Sequence, residues 1–280
     1  MSTSKKHHYV PQMYLRNFAD GAQRVQTLRL ASGHSYAART DTIAFENHFH
    51  RITIDGIPNL DLENAATSVE GHAAQPILRL TDPCRRVWPI PDRDRAALAL
   101  FIAFQYLRVP AARDMLLSLA DQLPDMFDGQ VPEELALDRA DIPRLHGATM
   151  TGEALLRAAK EVSRRSWTVI DFERKSLITS DVPVALVRRD GATDRSAAGL
   201  TTHSAYIPLA RRTALFINPP DAPFGPDLVH RGTTRWAKGL TELTLAWARD
   251  FLFHHPDDDP LHGIALPAPR RGQIRWERGA

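Results

Sequence analysis

Residues Asp92 to Arg108 read DRDRAALALFIAFQYLR. They follow Pro89-Ile90-Pro91, and Asp92 fits the N-cap of a helix that runs through AALALFIAFQYLR. At about 100° per residue, Ala97, Leu98, Phe101 and Phe104 define one apolar face. Gln105 and Arg108 fall inside that face, not opposite it. A buried guanidinium is costly unless it is paired and hydrogen-bonded, so an acidic or anionic group is expected at Arg108. Two readings stand: a clamp on substrate or phosphate, and an internal ion pair that orders the core. The preceding helical stretch supplies a candidate partner. Leu62, Ala65, Ala66, Val69, Ala73, Ile77 and Leu80 recur at helical spacing, with Pro76 expected to kink or break the run. Glu63 and Glu70 share one side of it, seven residues apart, and antiparallel packing would carry Glu70 to Arg108.

Working outward, Pro110 kinks the helix or opens a second one, Ala111 to Leu123, and a further helix is expected from Gly152 to Arg165. Before residue 60 the texture is different. Val25 to Leu30 alternates as a strand does, Ser32-Gly33 marks a turn, and residues 43–54 promise one or two short strands. The texture changes again at Ser166. SWTVIDF and SLITS read as two strands separated by Glu173-Arg174-Lys175, a hairpin-length gap. PVALVRR, SAYIPLA and TALFINP are further strands, and a closing helix covers Thr233 to Asp250. Segregated helices and strands argue for α+β: a helical middle, a small N-terminal β unit, and a C-terminal antiparallel sheet packed with a closing helix. The expected organisation is one domain over residues 1–255. It comprises a β-containing unit at 1–58, a helical part at 60–165 and a strand-rich part at 166–250, with an extended tail at 256–280.

Composition narrows the classes of function. The chain has 280 residues, 35 Lys+Arg and 33 Asp+Glu, a net charge of +2 that argues against a general nucleic-acid or membrane-surface binder. A single cysteine, Cys84, rules out an internal disulfide framework and a multi-cysteine zinc site. The longest apolar run, Ala96 to Val109, contains Gln105 and Arg108 and falls short of the roughly 20 residues of a spanning helix. With no recognisable targeting signal at the start, a cytoplasmic protein without a membrane partner is expected. P-loop, Rossmann and zincin fingerprints are all missing from the sequence. Five of the basic residues are lysines, which leaves 30 arginines spread along the whole chain.

Several side chains qualify for chemistry. His7 and His8 sit in an extended segment and point to opposite sides, and Val10 on the side of His8 nominates His8 as the one facing an interior site. There it would be a metal ligand or general base; the alternative is an imidazole at the core edge that bonds backbone. At strand spacing His48 and His50 share a face, as metal-binding pairs do. A nuclease of HNH type built from His8, Asn47 and His50 does not match in spacing. Asp181, in Ser180-Asp181-Val182-Pro183, either accepts backbone N–H bonds and fixes a turn or serves as base or metal ligand.

Four segments, in order, resemble one family. Lys6-His7-His8-Tyr9-Val10-Pro11-Gln12 with Tyr14-Leu15-Arg16 and Phe18 is similar to the opening signature of domain of unknown function 4238. FIAFQYLRVPAAR (Phe101 to Arg113), LITSDVPV (Leu177 to Val184) and YIPLARRTALF (Tyr206 to Phe216) resemble the same family. Its members often carry Asn where this chain has Val182, and Ser where it has Ala210, so neither position is an obligatory catalytic group here. The resemblance implies a grouping and no settled reaction. Two functions are expected to compete. One is a hydrolase, nuclease-like or another phosphodiesterase, acting on a small-molecule or nucleic-acid substrate. Its polar set would be His8, Glu70, Gln105, Arg108 and Asp181, with a divalent metal as an option. The other is a non-catalytic ligand- or partner-binding module whose polar cluster is structural, with the Arg-rich tail (Arg270, Arg271, Arg275, Arg278) as a contact for an acidic partner. Oligomeric state is left open.

Overall fold

The computed structural model describes residues 6–47, 49, 52–54, 57–59, 61–187, 199–220 and 225–267. Its elements in order are β1 (Lys6–His8), α1 (Gln12–Leu15), β2 (Arg24–Arg29), β3 (His34–Arg39), β4 (Phe45–Asn47), β5 (Ile52–Ile54), β6 (Ile57–Asn59), α2 (Asp61–Thr81), α3 (Asp92–Arg108), α4 (Pro110–Met126), α5 (Ile142–Thr151), α6 (Glu153–Arg164), β7 (Trp167–Asp171), β8 (Thr179–Ser180), β9 (Ala185–Val187), α7 (Gly199–Thr202), β10 (Ser204–Ala210), β11 (Thr213–Ile217), β12 (Leu228–Arg231), α8 (Thr234–Trp247) and β13 (Phe251–His254). The fold is α+β, with a small N-terminal sheet and a C-terminal antiparallel sheet.

The helix α3 is the axis of the helical part. Leu98 to Phe104 and Tyr106 are almost entirely buried except Leu100, so the helix is apolar on nearly every side, as a core helix must be. It packs against α2 and α6. Its N-cap is Pro91, not Asp92, which lies inside the first turn with Asp94 where negative charge meets the positive helix end. Pro110 does not kink α3. Val109 leaves the helix in an extended conformation and Pro110 starts α4, where its missing N–H costs nothing. Pro76 lies within α2, which continues past it to Thr81.

The strands are shared in a way that local pattern does not reveal. One sheet has the order β12-β7-β11-β10-β9, antiparallel except for the parallel edge pair β12–β7. A second has the order β3-β2-β13-β8, so the last strand is inserted between strands from the two halves of the chain. The expected hairpin of SWTVIDF and SLITS is therefore corrected. β7 and β8 belong to different sheets, and residues 173–176 carry the chain between them. The hairpin-length gap is used for a crossing because Phe172 and Leu177 donate their N–H groups to Arg212 and Arg211, at 2.8 Å each, instead of to one another. Among the described residues β1 pairs only with β4. The main core runs from Tyr9 to Phe253, and a smaller cluster gathers Leu28, Ile178, Leu245 and Leu252 under Leu261 and Ile264. No helix among the described residues is long and apolar enough to cross a membrane.

A close approach fixes one glycine. A Cβ on Gly232 would lie 2.2 Å from Cε1 of Phe172, whose ring is buried. Gly232→Ala is expected to lower the unfolding free energy by about 1–3 kcal/mol, the usual cost of overpacking, in urea titration.

Candidate functional site

The opening segment HHYVPQ is held from behind by side chains of α3 and α2. Gln105 is fully buried and donates from Nε2 to the carbonyl of Tyr9 at 2.8 Å. Arg108, 2% exposed, donates from Nη2 to the carbonyl of His8 and from Nη1 to Oε1 of Glu70 at 2.6 Å. Its guanidinium also lies 5.1 Å from the centre of the Phe104 ring, a cation–π distance. Burial pushes its pKa down and Glu70 pushes it up. A guanidinium carries its charge over five donors in a rigid fork, so one side chain serves a carboxylate and a carbonyl at once. Tyr14 adds a third tie. Its buried hydroxyl meets Oγ1 of Thr179 at 2.8 Å and donates to the carbonyl of Pro208 at 2.5 Å. All four sequence motifs therefore join at the first turn of the chain.

The two histidines occupy roles opposite to those expected from alternation. His7 is the buried one, 7% exposed, with Nε2 paired to Oε1 of Glu63. His8 is half-buried and turned toward Phe45 and Gln12. The physical reason is a break in the strand. The N–H groups of Tyr9 and Val10 both point at the carbonyl of Ala44, at 3.0 and 3.4 Å, and Ala44 itself has φ +53°. Tyr9 and Val10 lie beyond the end of β1, so the alternation that relates His7 to His8 does not carry on to Val10.

The His8 ring is held in a defined state. Burial lowers its pKa to about 4, the charges of Arg108 and Lys6 push the same way, and Asp41 opposes them through its carboxylate and a backbone hydrogen bond. The imidazole is therefore neutral at pH 7. The Gln12 amide accepts from Arg16 on its oxygen, at 3.4 Å, which turns its nitrogen toward Nε2 of His8 at 3.5 Å. Nε2 is then the acceptor nitrogen, and the Gln12 amide is the donor it meets.

Asp181 stands on a separate cluster. It is 2% exposed; Oδ1 accepts the N–H of Arg249 at 2.9 Å, and Oδ2 accepts those of Asp250 and Phe251 at 2.7 and 3.2 Å. This carboxylate fastens the turn between α8 and β13. Burial pushes its pKa up to about 7, while the N–H bonds and Arg249 pull it down. Arg249 continues outward to Asp114 at 2.6 Å and Asp250 at 2.6 Å. The Tyr9 phenol faces this second cluster, its pKa raised by burial and by the charges of Asp181 and Glu46.

The five candidates thus separate into two groups. His8, Glu70, Gln105 and Arg108 meet on the β1 segment through a carbonyl, an amide and an ion pair, whereas Asp181 serves the α8–β13 turn. Sequence reasoning missed His7 as the buried histidine, Asp41 beside His8, and the Arg249–Asp114 pair. Alternation places His7 and His8 on opposite sides without saying which is buried; nothing local marks the other two, because their partners are far away in sequence. Among the described residues no group of three His, Cys, Asp or Glu side chains is placed to hold a metal ion. His48, His50 and the arginines from Arg270 onward lie outside the described residues.

The family described as "Protein of unknown function (DUF4238)" matches residues 6–258. The chain belongs to this family. The matched span contains all four motifs, and the ties just described are made between them. No curated protein and no solved structure matches the chain.

Arg108→Ala strips the His8 carbonyl and Glu70 of their partner. It is expected to lower unfolding free energy by about 3–5 kcal/mol, read from denaturant midpoints. Asp181→Asn keeps the shape but turns an NH2 group against backbone N–H donors, and should cost about 1–3 kcal/mol by the same measurement.

Proposed function

We propose that this DUF4238 protein is a hydrolase of phosphodiester-class substrates, small-molecule or nucleic-acid, acting in the cytoplasm, with His8 as general base. The observation that carries the reading is the His8 imidazole: neutral, half-exposed, and met at Nε2 only by a long 3.5 Å contact from Gln12 that a water molecule can replace. A general base needs its reactive nitrogen deprotonated at working pH and fixed in direction. The Asp41 backbone and the Gln12 amide supply direction; desolvation supplies the protonation state. Water at Nε2, in place of the Gln12 contact, would lose its proton to the imidazole as its oxygen bonds to phosphorus; one P–O ester bond breaks, and the departing alkoxide takes a proton from solvent. Lys6 and the buried Arg108 give that side of β1 a positive potential that favours an anionic substrate. Arg108, Gln105 and Glu70 are positioning residues in this scheme, since they hold the His8 and Tyr9 carbonyls and do not reach the substrate. Asp181 takes no part in the reaction.

A second reading is favoured by a specific observation. The polar heads of Arg108, Gln105 and Asp181 are all bonded to the chain's own backbone. A non-catalytic binding module whose polar cluster is structural would look the same.

Hydrolysis of bis(p-nitrophenyl) phosphate and of a labelled oligonucleotide decides between them. His8→Gln should keep the wild-type melting temperature and lose about 100-fold or more in rate, the usual share of a general base. Because the folded-state pKa is depressed, the base stays unprotonated as pH falls through 6.5. The wild-type rate should therefore hold down to pH 5 and drop only as pH approaches 4. Full activity in His8→Gln, or a loss of rate centred near pH 6.5, removes the hydrolase reading. A wild-type protein inert toward both substrates leaves the binding module.

A further inference from the structure

The five-stranded sheet ends on β12, and this edge is unlike the rest of the surface. All four of its residues, Leu228 to Arg231, are exposed, although the strand pairs along its full length with β7. Leu228 and Val229 are 42% and 43% exposed. Trp236, in the first turn of α8, is 43% exposed and stands edge-on to the His230 ring, with centroids 6.0 Å apart. A large indole left in water against His230, with Leu228 on the same face of β12, makes an apolar platform that the core does not use.

The platform is bordered by positive charge. Arg231 ends β12 with 88% of its side chain exposed, and Arg235 follows on α8, also exposed. The β7 end of the sheet adds Arg174 and Lys175, and the turn between β10 and β11 adds Arg212, all exposed. The contacts draw these segments together. Arg231 pairs with the Glu173 carboxylate at 3.1 Å, and Arg212 donates to the Glu173 carbonyl at 3.0 Å. Arg231 and Arg212 thus meet at Glu173, with Arg174 and Lys175 next to it in the chain and Arg235 four residues after Arg231, on a protein whose net charge is +2.

We propose that the β12 edge, with Trp236 as a stacking platform and Arg231 and Arg235 as phosphate contacts, binds single-stranded nucleic acid. Alternating cations and an exposed ring are what a single strand needs: phosphates meet guanidinium groups while a base lies on the indole. An acidic peptide would use the charge but has no need of an aromatic face. Double-stranded nucleic acid hides its bases and could not reach the ring. This surface is built on β12 and α8, not on the β1 segment, so it stands or falls independently of His8.

The test is fluorescence anisotropy of the full chain with a labelled 15-residue oligothymidylate, over a salt titration. Binding should weaken as salt rises, with a log–log slope of about −0.7 per phosphate engaged. R231E/R235E should bind at least tenfold more weakly with a shallower slope, and R174E/K175E, on an exposed loop, should shift in the same direction. Trp236→Ala should weaken binding about tenfold with the slope unchanged, because stacking is independent of salt. All variants keep the basic residues at 270–278, so the difference between them reads this surface alone. Circular dichroism spectra matching wild type establish that each variant is folded. Three results overturn the proposal: folded R231E/R235E and R174E/K175E both binding like wild type, Trp236→Ala binding like wild type, or polyglutamate competing as well as unlabelled oligothymidylate.

Discussion

One guanidinium organises the front of this molecule. Arg108 is buried on a helix that is otherwise apolar, and the energy of placing it there is recovered only if its donors find partners. Both terminal nitrogens do, on a carboxylate from α2 and a carbonyl from β1, while the buried Nε makes no hydrogen bond. α2 and α3 are neighbours in the chain, whereas β1 is brought to them from far upstream. Among the described residues the N-terminal segment has only a short pairing with β4 to hold it as sheet. Its position comes instead from backbone carbonyls grasped by α3, with Gln105 on Tyr9 and Arg108 on His8. Backbone carbonyls are always present, so this type of tie fixes a strand whatever side chains it carries.

The same device recurs elsewhere. Arg165, 6% exposed, donates to the carbonyls of His203 and Leu200 at 2.7 and 2.5 Å. Arg86 joins the carbonyl of Leu80 to the carboxylate of Asp171, and Arg113 reaches the carbonyl of Phe49 while stacked 4.0 Å from its ring. Arginine suits these places because it stays charged when dry and can serve two acceptors in fixed directions, which a lysine cannot. A composition with 30 arginines and five lysines therefore has a structural use, whatever its origin in the coding sequence. Charge near neutrality follows as well, since many of the cations are spent on internal carboxylates. What is left over is local: the cationic border of β12 is visible only after those pairs are taken away.

Much of the architecture was legible from pattern. The periodicity of α2 and α3, the turn at Gly33, the strand at Val25 and the start of α8 at Thr233 are all short-range features, and each is where its local chemistry places it. The reading went wrong where a local pattern had two uses. The gap at residues 173–175 is as good for a crossing between sheets as for a hairpin, and only the carbonyls of Arg211 and Arg212 decide which. Alternation in HHYV assigns opposite sides to His7 and His8 correctly, yet counting on from Val10 fails because β1 ends at His8. The Glu70–Arg108 meeting could be anticipated from helix spacing. The Arg249 N–H on Asp181 could not, since a turn-fastening carboxylate and a catalytic one have the same sequence signature.

By itself the sequence determined the fold class, the helical core, the family, and the fact that an arginine would be buried and would require an acid. Those follow from periodicity and from the cost of an unpaired charge, which operate within one or two elements. Tertiary structure decided which histidine is buried, where Asp181 is engaged, and that β13 enters the sheet between β2 and β8. Each of these depends on partners brought from distant segments of the chain or on where the pairing of β1 ends. A period of two or 3.6 carries no information about such partners, because donors and acceptors on the backbone are the same at every position.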